Sequence, residues 1–278
     1  MSGLQAFAAS SSRRSFLAAL AALSGAALCS DLPFAWARSE SAGPPDPQLL
    51  EDLVAAYRIL AAQGVVDGYG HVSARHDKSP ERFLISRSLA PQLVTQTDIV
   101  ELDMDAVPVT ENAPRLYLER FIHSEIYKER PDVKAVVHHH SPDVVPFSVS
   151  SVPMRPVYHM AAFVGEGVPV FEIRDVAGMS DMLVRTPEIG RALAKTLGDK
   201  PALLMRGHGA VVVGDSLMQA VGRSIYLQMN ARLQAQAIAL GGKVTYLEPE
   251  ESRKVQSSFG YDRAWNLWKR DVMASGKP

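Results

Sequence analysis

Residues 130 to 140 read Arg130-Pro131-Asp132-Val133-Lys134-Ala135-Val136-Val137-His138-His139-His140. Pro131 ends any helix before it, because the residue preceding a proline is pushed out of the helical region. The β-branched run that follows, Val133 to His140, is expected as a buried strand. Side chains alternate along a strand, so His138 and His140 point to one face and His139 to the other. Two imidazoles on one face of a rigid strand are a natural pair of metal ligands. The spacing leaves a second reading open, a group of histidines with ordinary hydrogen bonds.

Upstream, Arg115 to Glu129 is expected as the helix that Arg130-Pro131 stops. Glu119 and His123 are four apart and would share a helix face. A carboxylate aimed at a metal serves as ligand or proton shuttle; a solvated helix pair is the commoner meaning of that spacing. Downstream, Gly207-His208-Gly209 lies between strand candidates at Ala202 to Met205 and Ala210 to Val213. A histidine between glycines sits on backbone that turns sharply and approaches other groups closely. An exposed histidine in a structural turn fits the same pattern. Other strands are expected at Val72 to Arg75, Phe83 to Ser86 and Ile99 to Asp103. Other helices are expected from Leu49 to about Gln63, Pro187 to Leu197, Asp215 to about Leu240, and between Tyr261 and Val272. Interleaved strands and helices predict a layered α/β domain.

Taken in order, Glu119-x3-His123, the segment from Arg130 to His140, and Arg206-Gly207-His208-Gly209 resemble the class II aldolase/adducin-head family. Gly70-His71-Val72-Ser73-Ala74-Arg75 is similar to that family's Gly-Asn-x-Ser-x-Arg segment. The resemblance spans about Gln48 to Leu240. It implies a three-layer α/β/α fold around a central, largely antiparallel sheet, assembled as a homotetramer with sites between subunits. It also implies one divalent metal ion per subunit, held by His138, His140 and His208, with Glu119 as acid/base group and additional ligand. Histidine and carboxylate suit zinc, manganese, iron and cobalt alike. Adducin-type members lack the full ligand set, which this chain keeps.

Sugar-phosphate members hold phosphate with an Asn after Gly, a Thr-Gly pair and a Ser-Ser pair before the glutamate. Here those positions are His71, Ser88-Leu89 and Tyr117-Leu118. Leucine offers no side-chain donor and blocks close backbone approach to an anion. The pattern instead resembles the branch with decarboxylases of hydroxylated aromatic and pyridine dicarboxylic acids. That resemblance implies a metal-dependent carbon–carbon lyase, most simply a decarboxylase of a small hydroxylated aromatic or related acid. The alternatives are an aldolase on a non-phosphorylated hydroxy-carbonyl compound and a non-catalytic, metal-stabilised periplasmic binding protein. His71 is a candidate proton donor or hydrogen-bond partner. Arg115 is a candidate carboxylate clamp, and Tyr158 and Tyr261 are candidate substrate-binding residues, Tyr261 reaching a neighbour's site.

Composition agrees with a small-molecule enzyme. The 278 residues carry 29 basic and 30 acidic side chains, net charge −1, which gives no basic footprint for nucleic acid. The single cysteine, Cys29, excludes a disulfide scaffold. Arg13-Arg14 before Ser-Phe-Leu, an apolar run from Phe16 to Leu28, and Ala35-Trp36-Ala37 read as a twin-arginine signal peptide cleaved after Ala37. The run is too short to span a bilayer. Residues 1–37 are therefore expected to be the export signal, 38–47 a linker and 48–278 the catalytic domain. The processed protein is expected outside the cytoplasm, in the periplasm, with no stable membrane insertion.

Overall fold

A computed structural model describes residues 39–274. Residues 1–37, expected as an export signal, lie outside the described residues. Helix α1 (Pro47–Ala62) starts at Asp46, whose carboxylate accepts from the Gln48 N–H, with Pro47 in its first turn. Strands β1 (His71–Arg75), β2 (Arg82–Ser86) and β3 (Ile99–Asp103) follow. Helix α2 (Arg120–Glu129) leads into β4 (Ala135–His139) and the short α3 (Val145–Val149). Then come β5 (Val170–Phe171), α4 (Arg174–Ala177), α5 (Pro187–Leu197), β6 (Ala202–Met205) and β7 (Gly209–Gly214). The chain closes with α6 (Leu217–Ala239), α7 (Pro249–Gln256) and α8 (Asp262–Ala274).

The seven strands form one sheet in the order β3-β2-β1-β4-β7-β6-β5. Only the β5–β6 pair is parallel, so the sheet is largely antiparallel, as expected. Both faces are buried. Along β7, Ala210 and Val212 enter one core and Val211 and Val213 the other, the period-two alternation of a strand. The first core is covered by α1, α6 and α8 through Leu53, Leu60, Ile225 and Trp265. The second is covered by α2 and α5 through Ile122, Ile126 and Leu193. The result is three layers, helix on sheet on helix. No helix among the described residues is long and apolar enough to cross a membrane.

The register fixes the functional end of the sheet. His71 at the start of β1 pairs with His138 near the end of β4. On the other side His138 pairs with Val211 and His139 with Ala210. His208 immediately precedes β7. Three of the histidines singled out in the sequence therefore meet at one end of three adjacent strands.

Two expectations need correction. The helix expected from Arg115 begins only at Arg120, and Glu119 is its N-cap with φ −89° and ψ 19°. Tertiary bonds hold the preceding segment out of the helix. The Ser88 N–H donates to the Arg115 carbonyl at 2.8 Å, and the Tyr117 hydroxyl donates to the Leu89 carbonyl at 2.7 Å. The segment expected as a linker is tied to the sheet edge. Ser41 Oγ donates to Glu101 at 2.6 Å, the Ala42 N–H donates to the same carboxylate at 2.8 Å, and Arg82 donates to the Glu40 carbonyl at 2.9 Å. These bonds hold the segment against the side chains of β3 and β2, while the outer backbone edge of β3 is met by the following turn, where the Asp103 N–H donates to the Val107 carbonyl at 2.9 Å and the Val109 N–H to the Glu101 carbonyl at 3.2 Å.

Gly190 sets the closest approach of α5 to α2. A Cβ there would lie 2.6 Å from the Phe121 carbonyl oxygen and 2.9 Å from Glu125 Cγ. Gly190→Ala is expected to destabilise by about 1–3 kcal/mol through overpacking. Denaturant unfolding followed by circular dichroism checks this; an unchanged midpoint contradicts the close approach.

Candidate metal centre and active-site cleft

His138 and His140 do share a side, as their spacing required, although β4 ends at His139 and His140 lies one residue beyond it. Their Nε2 atoms are 3.0 Å apart, and His140 Nε2 is also 3.0 Å from His208 Nε2. Glu119 Oε2 stands 3.4 Å from His138 Nε2 and 3.5 Å from His208 Nε2. The four ligand atoms lie within 4.8 Å of one another.

Each position has a local cause. His208 sits after Gly207, whose φ of +61° lies in the left-handed region that favours glycine. Gly209 is needed next, because a Cβ there would fall 2.1 Å from the His139 carbonyl oxygen. Glu119 Oε1 accepts the Val184 N–H at 3.0 Å, which leaves Oε2 facing the imidazoles.

The outer nitrogens fix the tautomers. His138 Nδ1 donates to the Ala210 carbonyl at 3.1 Å, and His208 Nδ1 donates to the Met182 carbonyl at 3.0 Å. A carbonyl only accepts, so both neutral rings carry their hydrogen on Nδ1 and turn an Nε2 lone pair inward. His140 Nε2 has at most one hydrogen to offer two such neighbours. A neutral set therefore keeps one 3.0 Å nitrogen–nitrogen contact without a proton. The arrangement calls for positive charge at its centre, and the donor set, three imidazoles and a carboxylate, is one that holds a divalent metal.

The electrostatics run the same way. Burial raises the Glu119 carboxyl, but the His138 and His208 rings outweigh it and hold the group below the usual carboxylate range. Burial lowers His140 to about 4, with His138 and His208 adding to the effect. His208 moves the other way: burial lowers it, but hydrogen bonding and charge from Glu119 raise it overall. His139 is fully buried on the opposite face, lowered by burial to about 3, and its Nε2 has no hydrogen-bond partner among the described residues.

Beside the cluster opens a cleft of about 350 Å³ that His71, Arg115, Glu119 and His140 line. Its remaining walls include Leu89, Leu116, Tyr117 and Leu183. Among the described residues, Arg115 is the one Lys or Arg on the wall. The Tyr117 ring lies against His71, with centroids 4.6 Å apart, and its hydroxyl meets Ser86 Oγ at 3.0 Å. Burial drives His71 well below its ordinary value, with the neighbouring histidines adding to the effect, so it is neutral at neutral pH.

Not every candidate gathers here. Tyr158 and Tyr261 do not line the cleft of their own chain. Tyr261 is buried, with its ring in the space that Gly222 leaves open and edge-on to Phe259 at 4.9 Å. The buried Tyr158 hydroxyl has no partner among the described residues. His123 does not share a helix face with Glu119, since α2 starts one residue after that carboxylate; it bonds to His71 instead. Met182 is a residue the sequence did not signal. Its φ of +68° is uncommon for a non-glycine and holds the carbonyl on His208. Nothing in Met179-Ser180-Asp181-Met182 marks that conformation.

Comparison with known proteins agrees with this architecture. Residues 51–235 match the class II aldolase and adducin N-terminal domain. The decarboxylase tropJ of Talaromyces stipitatus is 35% identical over 248 residues, covering 80% of this chain and 93% of that protein. The 3,4-dihydroxyphthalate decarboxylase of Arthrobacter keyseri is 29% identical over 240 residues, covering 80% and 92%. Among solved structures, an aldolase II superfamily protein from Pseudomonas syringae superposes with TM-score 0.69 at 26% identity, covering 82% of this chain and 93% of that one. The fold is also that of L-fuculose 1-phosphate aldolase from Glaciozyma antarctica, with TM-score 0.66, 24% identity, and coverage of 84% and 93%. The family match covers most of the chain and one relative is 35% identical over most of its own length, so this chain belongs to the class II aldolase and adducin N-terminal domain family.

Proposed function

We propose that the protein is a divalent-metal-dependent decarboxylase of small hydroxylated aromatic or related carboxylic acids. The observation that carries the reading is the cleft itself. It is walled by Leu89, Leu116, Tyr117 and Leu183, carries Arg115 as its one Lys or Arg among the described residues, and opens onto Glu119 and His140. Apolar and aromatic walls suit a flat ring, and a guanidinium pairs a carboxylate in two parallel hydrogen bonds. Leu89 and Tyr117-Leu118 stand where the sugar-phosphate branch places its phosphate donors, which disfavours a phosphorylated substrate. The decarboxylases among the relatives support the same class.

His138, His140, His208 and Glu119 would hold the metal. When bound, the metal supplies a Lewis acid that stabilises negative charge on substrate oxygens next to the breaking bond. The chain's own groups do the rest. Arg115 orients the substrate through a carboxylate. Glu119, with Oε1 fixed by the Val184 N–H, holds or moves a proton at Oε2. His71 presents its free Nε2 to the cleft, placed as a hydrogen-bond partner for the substrate beside the breaking bond, while the proton for the ring carbon falls to Glu119.

Aldol cleavage of a non-phosphorylated hydroxy-carbonyl compound uses the same residues, and the aldolases among the structural relatives keep it as the second reading. Assembly as a homo-oligomer, a tetramer in this reading, is supported by Tyr69 and Leu118. Both are large, apolar and exposed at the cleft wall, with Tyr69 73% accessible in the single chain. Export through the twin-arginine route is supported by Arg13-Arg14 and the apolar run behind them.

The function is tested by supplying metal-replete protein with hydroxylated aromatic acids and their dicarboxylic analogues. Carbon dioxide release is expected; release of an aldehyde instead selects the aldolase reading, and ligand binding without turnover contradicts both. Glu119→Gln is nearly isosteric and cannot exchange a proton at neutral pH. It is expected to slow turnover by roughly 10²–10⁴-fold, with metal content measured in the same sample. Near-normal turnover by a metal-replete variant removes Glu119 from the mechanism. N-terminal sequencing of protein recovered outside the cytoplasm is expected to start near Arg38; a chain there that retains Met1 contradicts cleavage.

A further inference from the structure

Behind the cleft, four buried side chains are bonded in a line that the metal centre does not use. His71 Nδ1 lies 2.6 Å from His123 Nε2. His123 Nδ1 lies 2.6 Å from Ser73 Oγ, and Ser73 Oγ lies 2.8 Å from the Tyr127 hydroxyl. All four residues are buried, His123 and Ser73 completely. They come from two elements, β1 and α2, that the register and the second core bring together. Phe83 also lies over the His123 ring, nearly parallel at 6.5 Å.

Such a line has a direction. A neutral His123 carries one ring hydrogen. If that hydrogen is on Nε2, it is donated to His71 Nδ1, and His123 Nδ1 accepts from Ser73. Ser73 in turn accepts from Tyr127. His71 must then carry its own hydrogen on Nε2, the nitrogen with no protein partner, which faces the cleft that His71 lines. In the opposite direction His71 would show the cleft a bare lone pair. The phenol is intrinsically the more acidic of the two hydroxyls and the stronger hydrogen-bond donor, and although burial raises Tyr127 above its ordinary value, that does not reverse the order against an alcohol. That favours donation from Tyr127 to Ser73 and onward to His71.

We propose that His123 is a positioning residue: with Ser73 and Tyr127 it holds His71 in the tautomer whose Nε2–H points into the cleft. This rests on the reading of the cleft as a lyase site only for its consequence, that His71 meets the substrate as a donor. The tautomer is a property of the protein without substrate.

The test uses full-length processed protein labelled with ¹⁵N-histidine and loaded with zinc, without substrate. The His71 ring signals are assigned by their loss in His71→Gln. The expected result is a hydrogen on Nε2 and a bare Nδ1. In His123→Gln the side-chain amide replaces the Nε2–H donor, so the His71 tautomer is expected to persist. In His123→Leu it is expected to become mixed. Ser73→Ala, a smaller change remote from the cleft, provides a second variant should His123→Leu fold poorly, and a mixed tautomer is expected there too. A hydrogen on Nδ1 of His71 in the unmodified protein overturns the proposal. So does an unchanged His71 signal in folded Ser73→Ala. With a turnover assay in hand, kcat should fall about 10- to 100-fold in His123→Leu, the range for losing a partner that orients a functional histidine. KM should change little, and His123→Gln should restore most of the rate. Equal kcat losses in the Leu and Gln variants contradict positioning through that donor. If no substrate is turned over, the tautomer measurement still decides.

Discussion

Three imidazole nitrogens held 3.0 Å apart in sequence, with too few hydrogens to bridge them, are the constraint on which the rest of this structure depends. Left neutral and empty, such a cluster is a standing electrostatic cost in a buried site. The surrounding backbone nevertheless enforces it. The Ala210 and Met182 carbonyls hold the outer nitrogens, and the Val184 N–H holds the carboxylate. The strand register brings β1, β4 and β7 side by side at the end where those groups meet. Lone pairs aimed at one point are what a cation site requires, and the candidate centre has that arrangement.

The same geometry separates two kinds of histidine. His138, His140 and His208 look inward, toward each other and Glu119. His71, one strand over, looks into the cleft with one nitrogen and into the core with the other. His71, His123, His139 and His140 are all lowered by burial. Each therefore acts at neutral pH through lone pairs and N–H groups, with no charge of its own. Charge in the cleft wall comes from Glu119 and Arg115, a carboxylate beside the candidate metal centre and a guanidinium where a carboxylate substrate would dock.

Much of this was legible in the chain. Valine-rich β4 announced itself by β-branching and by the proline before it, and period-two alternation put His138 and His140 on one side without any structural knowledge. Gly207-His208-Gly209 was legible because glycine is required where the backbone turns left-handed and where His139 crowds it. What was not legible depended on partners remote in sequence. The segment from Arg115 to Tyr117 has helical character on paper, and only the bonds from Ser88 and to Leu89 pull it straight. Met182 gave no sign of its left-handed backbone. His123 showed a helical spacing to Glu119 that has no role once the helix begins at Arg120, while its true partners, His71 and Ser73, lie about fifty residues away in sequence. The polar stretch before α1 read as a linker because nothing local reveals that Glu101 and Arg82 hold it against the sheet edge.

The central claim is that Glu119, His138, His140 and His208 form one cation site, and metal content tests it most directly. Elemental analysis of the purified protein, after exchange into metal-free buffer, should find about one divalent ion per chain. His138→Ala and His208→Ala should each lose most of it, whereas His139→Gln, altered on the opposite face of the same strand, should keep it. Full metal content in both His138→Ala and His208→Ala, or none in the unmodified protein even after incubation with zinc, manganese, iron(II) and cobalt(II), would contradict the account.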